Sequence, residues 1–222
     1  MLAFIALAGA LWAFGWIANE VVQGGGHGVD LRIMLLLRNP DDRMDPIGPR
    51  WFEEMARDLT ALGSVGVLML ITALVAGFLL LARRRAAALL VTLCLGGGWL
   101  LTMALKRGFD RPRPDLLPHG TTVFTASFPS GHAAMSAIVY LTLGAMLARL
   151  QPTRALRVYI MSAAVSLTLL IGTSRVYLAV HWPSDVVAGW TIGAAWALAC
   201  WLVMRTLQRR GQVETVASED KR

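Results

Sequence analysis

Six apolar runs set the frame of the chain: Leu2–Ala18, Gly63–Ala82, Ala86–Leu105, Ala133–Ala148, Val158–Gly172 and Val186–Met204. Most approach the roughly 20 residues that a helix rising about 1.5 Å per residue needs to cross a hydrocarbon core about 30 Å thick. The pattern predicts an all-α, polytopic membrane protein with six transmembrane helices. They form one membrane domain over residues 1–205, followed by a polar tail over 206–222. Ala8 and Ala10 in the first run resemble a leader cleavage site. The run has no basic residue ahead of it and continues past those alanines, so it is read as the first transmembrane helix.

The longest polar connection is Glu20–Asp58, within an external loop over 20–62. Gly24, Gly25, Gly26 and Gly28 make a flexible start, Asp30 is placed to cap a short helix through Leu37, and Pro40 ends it. Trp51, Phe52, Met55, Leu59 and Leu62 then recur at helical spacing, with Glu53, Glu54, Arg57 and Asp58 between them. Two readings of this amphipathic helix are open. It lies in the headgroup region and guides lipid inward, or it covers the rim of the bundle.

Composition agrees with the pattern, at 56% hydrophobic residues, where soluble domains hold about 45–50%. The net charge of +7 does not point to nucleic acid, because the basic residues fall in short clusters between apolar runs. Arg83, Arg84 and Arg85, then Arg149, Arg154 and Arg157, then Arg205, Arg209, Arg210, Lys221 and Arg222 all lie on the face shared by the two termini. The positive-inside rule makes that face cytoplasmic and the opposite loops external. The two cysteines, Cys94 and Cys200, sit inside apolar runs and read as small buried hydrophobes rather than as a disulfide framework.

Three external clusters carry chemistry. Between the third and fourth runs, Lys106, Arg107, Arg111 and Arg113 stand where the rule disfavours positive charge. A phosphate pocket would explain them, since arginine offers a planar fork and lysine a point charge. Contact with lipid headgroups is the plainer alternative. Next comes Pro129-Ser130-Gly131-His132 at the start of the fourth run. A serine and a glycine at a helix N-terminus expose N–H groups to an anion, although ordinary N-capping also explains Ser130. His132 is left without a structural use, whereas His27 and His119 read as plain loop histidines. The third cluster holds Ser174, Arg175, His181 and Asp185. Asp185 lies four residues beyond His181, which permits contact across one helical turn. An aspartate so placed fixes an imidazole's tautomer; capping of the sixth helix is compatible with that role.

Together these clusters resemble the type 2 phosphatidic acid phosphatase family of integral membrane lipid phosphatases. Its first motif, a lysine, six residues and Arg-Pro, is matched by Lys106, Arg113 and Pro114. Pro129 to His132 match the second, and Ser174, Arg175, His181 and Asp185 match the third. The resemblance implies a metal-independent phosphatase that needs no cofactor and forms a phosphohistidine. It casts His181 as nucleophile, Asp185 as its orienting partner and His132 as the acid that protonates the leaving oxygen and then activates water. Lys106, Arg113, Ser130, Gly131 and Arg175 become the phosphate cradle, while Arg107 and Arg111 fall outside the motif and are left as headgroup contacts. The implied partner is a membrane lipid phosphate: an isoprenoid pyrophosphate, phosphatidylglycerol phosphate or phosphatidate. A phosphotransferase of the same fold and a non-catalytic lipid-phosphate binder or transporter are the alternatives; a metal hydrolase built on Asp110 and Asp115 lacks a histidine at ligand spacing.

Overall fold

The computed structural model describes residues 1–115 and 126–211, so the expectations for His119 and for residues 212–222 of the tail lie outside the described residues. Among the described residues eight helices follow one another: α1 (Leu2–Gln23), α2 (His27–Leu35), α3 (Arg50–Ala61), α4 (Val65–Leu81), α5 (Arg85–Phe109), α6 (Gly131–Arg149), α7 (Arg154–Tyr177) and α8 (Pro183–Arg209). Five of them, α1 and α5 to α8, are long and apolar enough to cross a membrane. A sixth candidate is the bent pair of α3 and α4. Ser64 accepts a bond from the Val67 N–H and so starts α4 afresh, and α3 joins it at a bend of 47°.

Local sequence explains the helix ends. Gly24 stops α1 in the left-handed conformation, at φ 72°, which glycine adopts without steric cost. Ser130 and Thr153 cap α6 and α7 through their hydroxyls, and Pro183 opens α8 at its first position, where its missing N–H has no intrahelical partner to lose. α8 continues to Arg209, so the first residues of the polar tail extend the last helix.

α6 is the hub. It is buried over most of its N-terminal half, from Ala133 to Val139, and packs against α7 and α8. The close approach rests on small residues: a methyl at Gly193 would lie 2.5 Å from the Ala134 carbonyl, and one at Gly189 would lie 2.7 Å from that of Ser130. Lipid tails give helices no hydrophobic reason to associate, so such backbone proximity and its van der Waals contact is what holds membrane helices together. Leu70, Leu74 and Phe78 of α4 and Leu89 and Leu93 of α5 remain exposed on the outer surface, as a lipid-facing surface allows. Cys94 and Cys200 are free thiols, Cys94 lying 3.9 Å from the Thr142 hydroxyl.

The connection between α1 and α4 departs from expectation. The short helix begins at His27 and not after Asp30, and Asp30 is turned inward with 3% of its surface exposed. A carboxylate buried to that degree needs partners, and it finds them on α8 and in the segment after α5, not at its own helix start. His27 is no plain loop residue either, for its ring lies 4.7 Å from that of Trp182.

Candidate active site

The three clusters converge where α5, α6, α7 and α8 end or begin. His181 sits in the short loop between α7 and α8 with 2% exposure, and Asp185, in the first turn of α8, is fully buried. The expected direct contact between them is long, with His181 Nδ1 3.5 Å from Asp185 Oδ2. Ser127 fills the gap. Its hydroxyl lies 3.3 Å from His181 Nδ1 and donates to Asp185 Oδ2. A hydroxyl has one proton to give, and the carboxylate takes it, so the imidazole must be the donor in the other bond. The proton is therefore on Nδ1 and the Nε2 lone pair faces outward.

Asp185 is held from every side. Its Oδ2 accepts the Trp182 N–H at 3.0 Å, and its Oδ1 accepts Arg111 Nη1 at 2.6 Å. Arg111 also reaches Ser184 Oγ at 2.8 Å and, through Nη2, Asp30 Oδ2 at 2.9 Å. Its guanidinium lies 5.6 Å from the centre of the Trp182 ring. This corrects the reading of Arg111 as a headgroup contact: it is a half-buried bridge between two carboxylates. Asp30 completes the network by accepting the Ser184 N–H at 2.9 Å together with the Ser184 hydroxyl.

The other face of His181 meets cations. Arg113 Nη1 stands 3.4 Å from Nε2 and donates to the Val180 carbonyl at 2.8 Å. Lys106, on the last turn of α5, donates to the Ala126 carbonyl at 2.7 Å. The lysine stem passes Gly131, where an added methyl would lie 3.4 Å from Lys106 Cε. Arg175, from the last turn of α7, spends Nη1 on Thr60 Oγ1 of α3 at 3.1 Å and leaves Nε buried without a partner among the described residues. A buried guanidinium donor without an acceptor is costly, and an anion is the natural partner for it. Burial, followed by the charges of Arg175, Arg113 and Lys106, pushes the His181 imidazole well below its ordinary value. Its neutral form is therefore favoured.

Ser130 caps α6, accepting the Ala133 N–H at 3.5 Å, and its own N–H donates to the Asp185 carbonyl at 2.9 Å. His132, one residue into α6, shares the field of Arg175, His181, Lys106 and Arg113. It packs against Gly63 in the elbow between α3 and α4, where a methyl would overlap Ile171 and come within 3.3 Å of the His132 ring. Asp110 and Asp115 stay exposed, and no group of three His, Cys, Asp or Glu side chains suited to a metal ion occurs among the described residues.

All eight residues singled out from sequence thus gather where α5, α6, α7 and α8 meet. Three more were missed: Ser127, Asp30 and Arg111. The arrangement provides an oriented imidazole, a second histidine and three cations, which is what in-line transfer of a phosphoryl group requires.

Known proteins agree with this reading. The model of the PAP2 superfamily matches residues 85–209. Phosphatidylglycerophosphatase B of Bacillus subtilis is 30% identical over 182 residues, covering 80% of this chain and 82% of the relative. An undecaprenyl-diphosphatase of Sulfolobus acidocaldarius is 34% identical over 106 residues, covering 47% and 46%. Among solved structures, a transmembrane PAP2-type phosphatidylglycerolphosphate phosphatase from Bacillus subtilis superposes with a TM-score of 0.77 at 25% identity, over 91% of this chain and 98% of that one. Aquifex aeolicus LpxE shares the fold, with a TM-score of 0.55 at 24% identity over 77% of this chain and 92% of that one. The chain belongs to the PAP2 superfamily and is a membrane lipid phosphatase of that type.

Proposed function

We propose that the protein removes the terminal phosphate of a lipid phosphate or pyrophosphate through a phosphohistidine on His181, at the external face of a cytoplasmic membrane. The observation that carries this reading is the state of His181. The imidazole donates from Nδ1 toward Ser127 and Asp185, which leaves Nε2 as a lone pair beside the Arg113 guanidinium. Phosphate oxygens held by Arg113, Lys106 and Arg175 would bring phosphorus in line with Nε2. As the P–N bond forms, Asp185 balances the positive charge growing on the ring, acting through the Ser127 hydroxyl. The bond to the leaving oxygen breaks with a proton that His132 holds once the bound phosphate offsets the surrounding cations, and His132 then accepts a proton from the water that releases phosphate.

The lipid has a place to lie. An apolar cavity of about 430 Å³ opens between α4, α5 and α6, lined by Val65, Leu68, Trp99, Met135 and Val139 among others. Met135 is one turn below His132, and Val65 follows the Gly63 elbow that packs on it. A chain in this cavity would put its head-group oxygen beside the proposed acid. The apolar residues Trp51, Phe52 and Met55 of α3 remain exposed, which favours an interfacial helix over a cover for the bundle. Orientation follows from charge: Arg83 to Arg85, Arg149 and Arg154 lie at the end of the bundle opposite the site.

The test is phosphate release from phosphatidylglycerol phosphate, phosphatidate and an isoprenoid pyrophosphate by detergent-purified protein. Wild-type activity should persist in a chelator, and His181→Ala should be inactive. Activity that vanishes with chelator or survives loss of His181 would sink the mechanism. Labelling of an engineered cysteine near Asp115 by an impermeant reagent in intact cells checks the orientation.

A further inference from the structure

α2 precedes the residues matched by the superfamily, 85–209, yet its inner face lies along the loop that carries His181. Asp30, Met34 and Arg38 are four residues apart and so share one helical face. Turn bonds from the Leu37 and Arg38 N–H groups to the Met34 and Leu35 carbonyls continue that face beyond Leu35. Exposure is 3% at Asp30, 0% at Met34 and 3% at Arg38. Two charged residues so deeply buried in a surface segment call for a reason.

The reason emerges from following the backbone groups at the two helix ends that flank His181. The last four carbonyls of a helix have no intrahelical partner. In α7, those of Ser174, Arg175 and Val176 take the N–H groups of Leu178, Val180 and Ala179. The fourth, Tyr177, takes Arg38 Nη2 at 2.6 Å. At the start of α8, Pro183 has no N–H, and those of Asp185 and Val186 turn to the Trp182 carbonyl. The remaining one, Ser184, goes to Asp30 Oδ1. A cation thus closes the C-terminus of α7 and a carboxylate closes the N-terminus of α8, each with the sign the local dipole favours. Arg38 has no other evident use, because Nε and Nη1 are buried without partners among the described residues. Between the two charges, Met34 clusters with Ala179, Val176, Trp182 and Val186. Ala179 has φ 53°, a conformation that L-residues keep only where the surroundings impose it.

We propose that α2 is a splint for the nucleophile loop, with Asp30 and Arg38 as positioning residues that fix the two helix ends on either side of Leu178–Trp182 and thereby hold His181 Nε2 in line with phosphorus. This rests on the reading of His181 as nucleophile. Neither residue touches substrate; Asp30 acts through Ser184 and Arg111, and Arg38 through the Tyr177 carbonyl.

The test uses full-length enzyme in detergent, in saturating excess over dioctanoyl phosphatidate, so that the single-turnover rate constant is independent of the fraction that is folded. Asp30→Asn, Arg38→Met, Arg38→Lys and His181→Ala are compared with wild type, beside the inhibition constant of inorganic phosphate. A displacement of about 1 Å can cost on the order of 100-fold, so Asp30→Asn and Arg38→Met are expected to slow turnover by at least about tenfold. Phosphate inhibition should stay within about threefold, because Lys106, Arg113 and Arg175 are untouched and anion affinity is theirs. Arg38→Lys keeps a cationic donor for Tyr177 and should recover much of the loss. Rate constants within about twofold of wild type in both Asp30→Asn and Arg38→Met, or a lysine no better than methionine, would overturn the splint. Wild-type turnover by His181→Ala would instead overturn the reading beneath it. Should Arg38→Met fail to fold, Asp30→Asn, which is isosteric but loses the charge and the Oδ2 acceptor that Arg111 and the Ser184 hydroxyl use, decides the question.

Discussion

Ser127→Ala isolates the hydroxyl that stands between the proposed nucleophile and its carboxylate. Ser127 is fully buried, accepts from His181 Nδ1 at 3.3 Å and donates to Asp185 Oδ2. Removing it leaves Nδ1 facing Asp185 across 3.5 Å, too far for a hydrogen bond of normal strength. A hydrogen bond to a charged group contributes about 1.5–3 kcal/mol. At about 1.4 kcal/mol per factor of ten, and with the imidazolium formed only after attack, the expected fall in kcat is roughly 10- to 150-fold. The fold should survive, because Asp185 keeps Arg111 and the Trp182 N–H and no buried charge loses its last partner. The assay is phosphate release at saturating lipid, with the inhibition constant of inorganic phosphate and the melting temperature as controls. A kcat within about threefold of wild type would refute the reasoning, and would mean that Asp185 closes the gap and orients His181 directly.

Four further outcomes are expected. Burial and then Arg175, Arg113 and Lys106 disfavour the charged imidazole of His181, so its ring signal in a carbon-13 histidine titration of the unliganded protein should stay neutral below the ordinary value of about 6.5; Arg113→Gln, which removes one of those cations, should move that titration to higher pH, and a downward move contradicts the sign. By linkage, the unfolded chain takes up a proton that the native site refuses, so the His181 contribution should lower stability by up to about 1.4 kcal/mol per unit as pH falls below about 6.5. A methyl at Gly193 would lie 2.5 Å from a main-chain carbonyl of α6, which cannot swing aside as a side chain could, so Gly193→Ala should cost about 1–3 kcal/mol and show as a lower melting temperature. Asp185→Asn should lower kcat by about a thousandfold or more, as loss of the orienting carboxylate does in catalytic triads, while phosphate inhibition changes little; equal losses in both would argue against an orienting role.

What could be read from the chain alone, and what could not, divides along one physical line. Membrane crossing is a local property of about 20 residues, so the apolar runs marked α1 and α5 to α8 directly. The motif residues were legible for a related reason: Lys106, Arg113, His132, Arg175, His181 and Asp185 are ionisable groups at the ends of apolar helices, where they are conspicuous. Asp30 was misread as a cap for its own helix because its true partners, Arg111 and Ser184, lie 81 and 154 residues away. Arg111 was one of four clustered basic residues, and nothing in their spacing separated a half-buried bridge from a headgroup contact. Ser127 offered no signal at all, since a serine before Phe128 and Pro129 is ordinary loop sequence. The break between α3 and α4 was half visible. Ser64 is a good N-cap, yet the apolar run continues across it from Gly63.

The layering of charge separates a catalyst from a binder. On the substrate side stand Lys106, Arg113 and Arg175, all cations, and these alone would suffice to hold a lipid phosphate. On the far side stand Asp185, Arg111 and Asp30, two carboxylates sharing one guanidinium, joined to the imidazole through Ser127. Without phosphate, burial and then the front layer favour the neutral form of His181, the form the proposed attack needs. With phosphate bound, the anion cancels much of that field while the rear carboxylates remain, so the positive charge that attack creates on the ring meets a favourable environment only once it exists. An interaction that strengthens between ground state and transition state is what lowers a barrier. A transporter or passive binder has no use for the rear layer, and burying two carboxylates and an arginine for affinity alone would carry a large desolvation cost for no gain in binding.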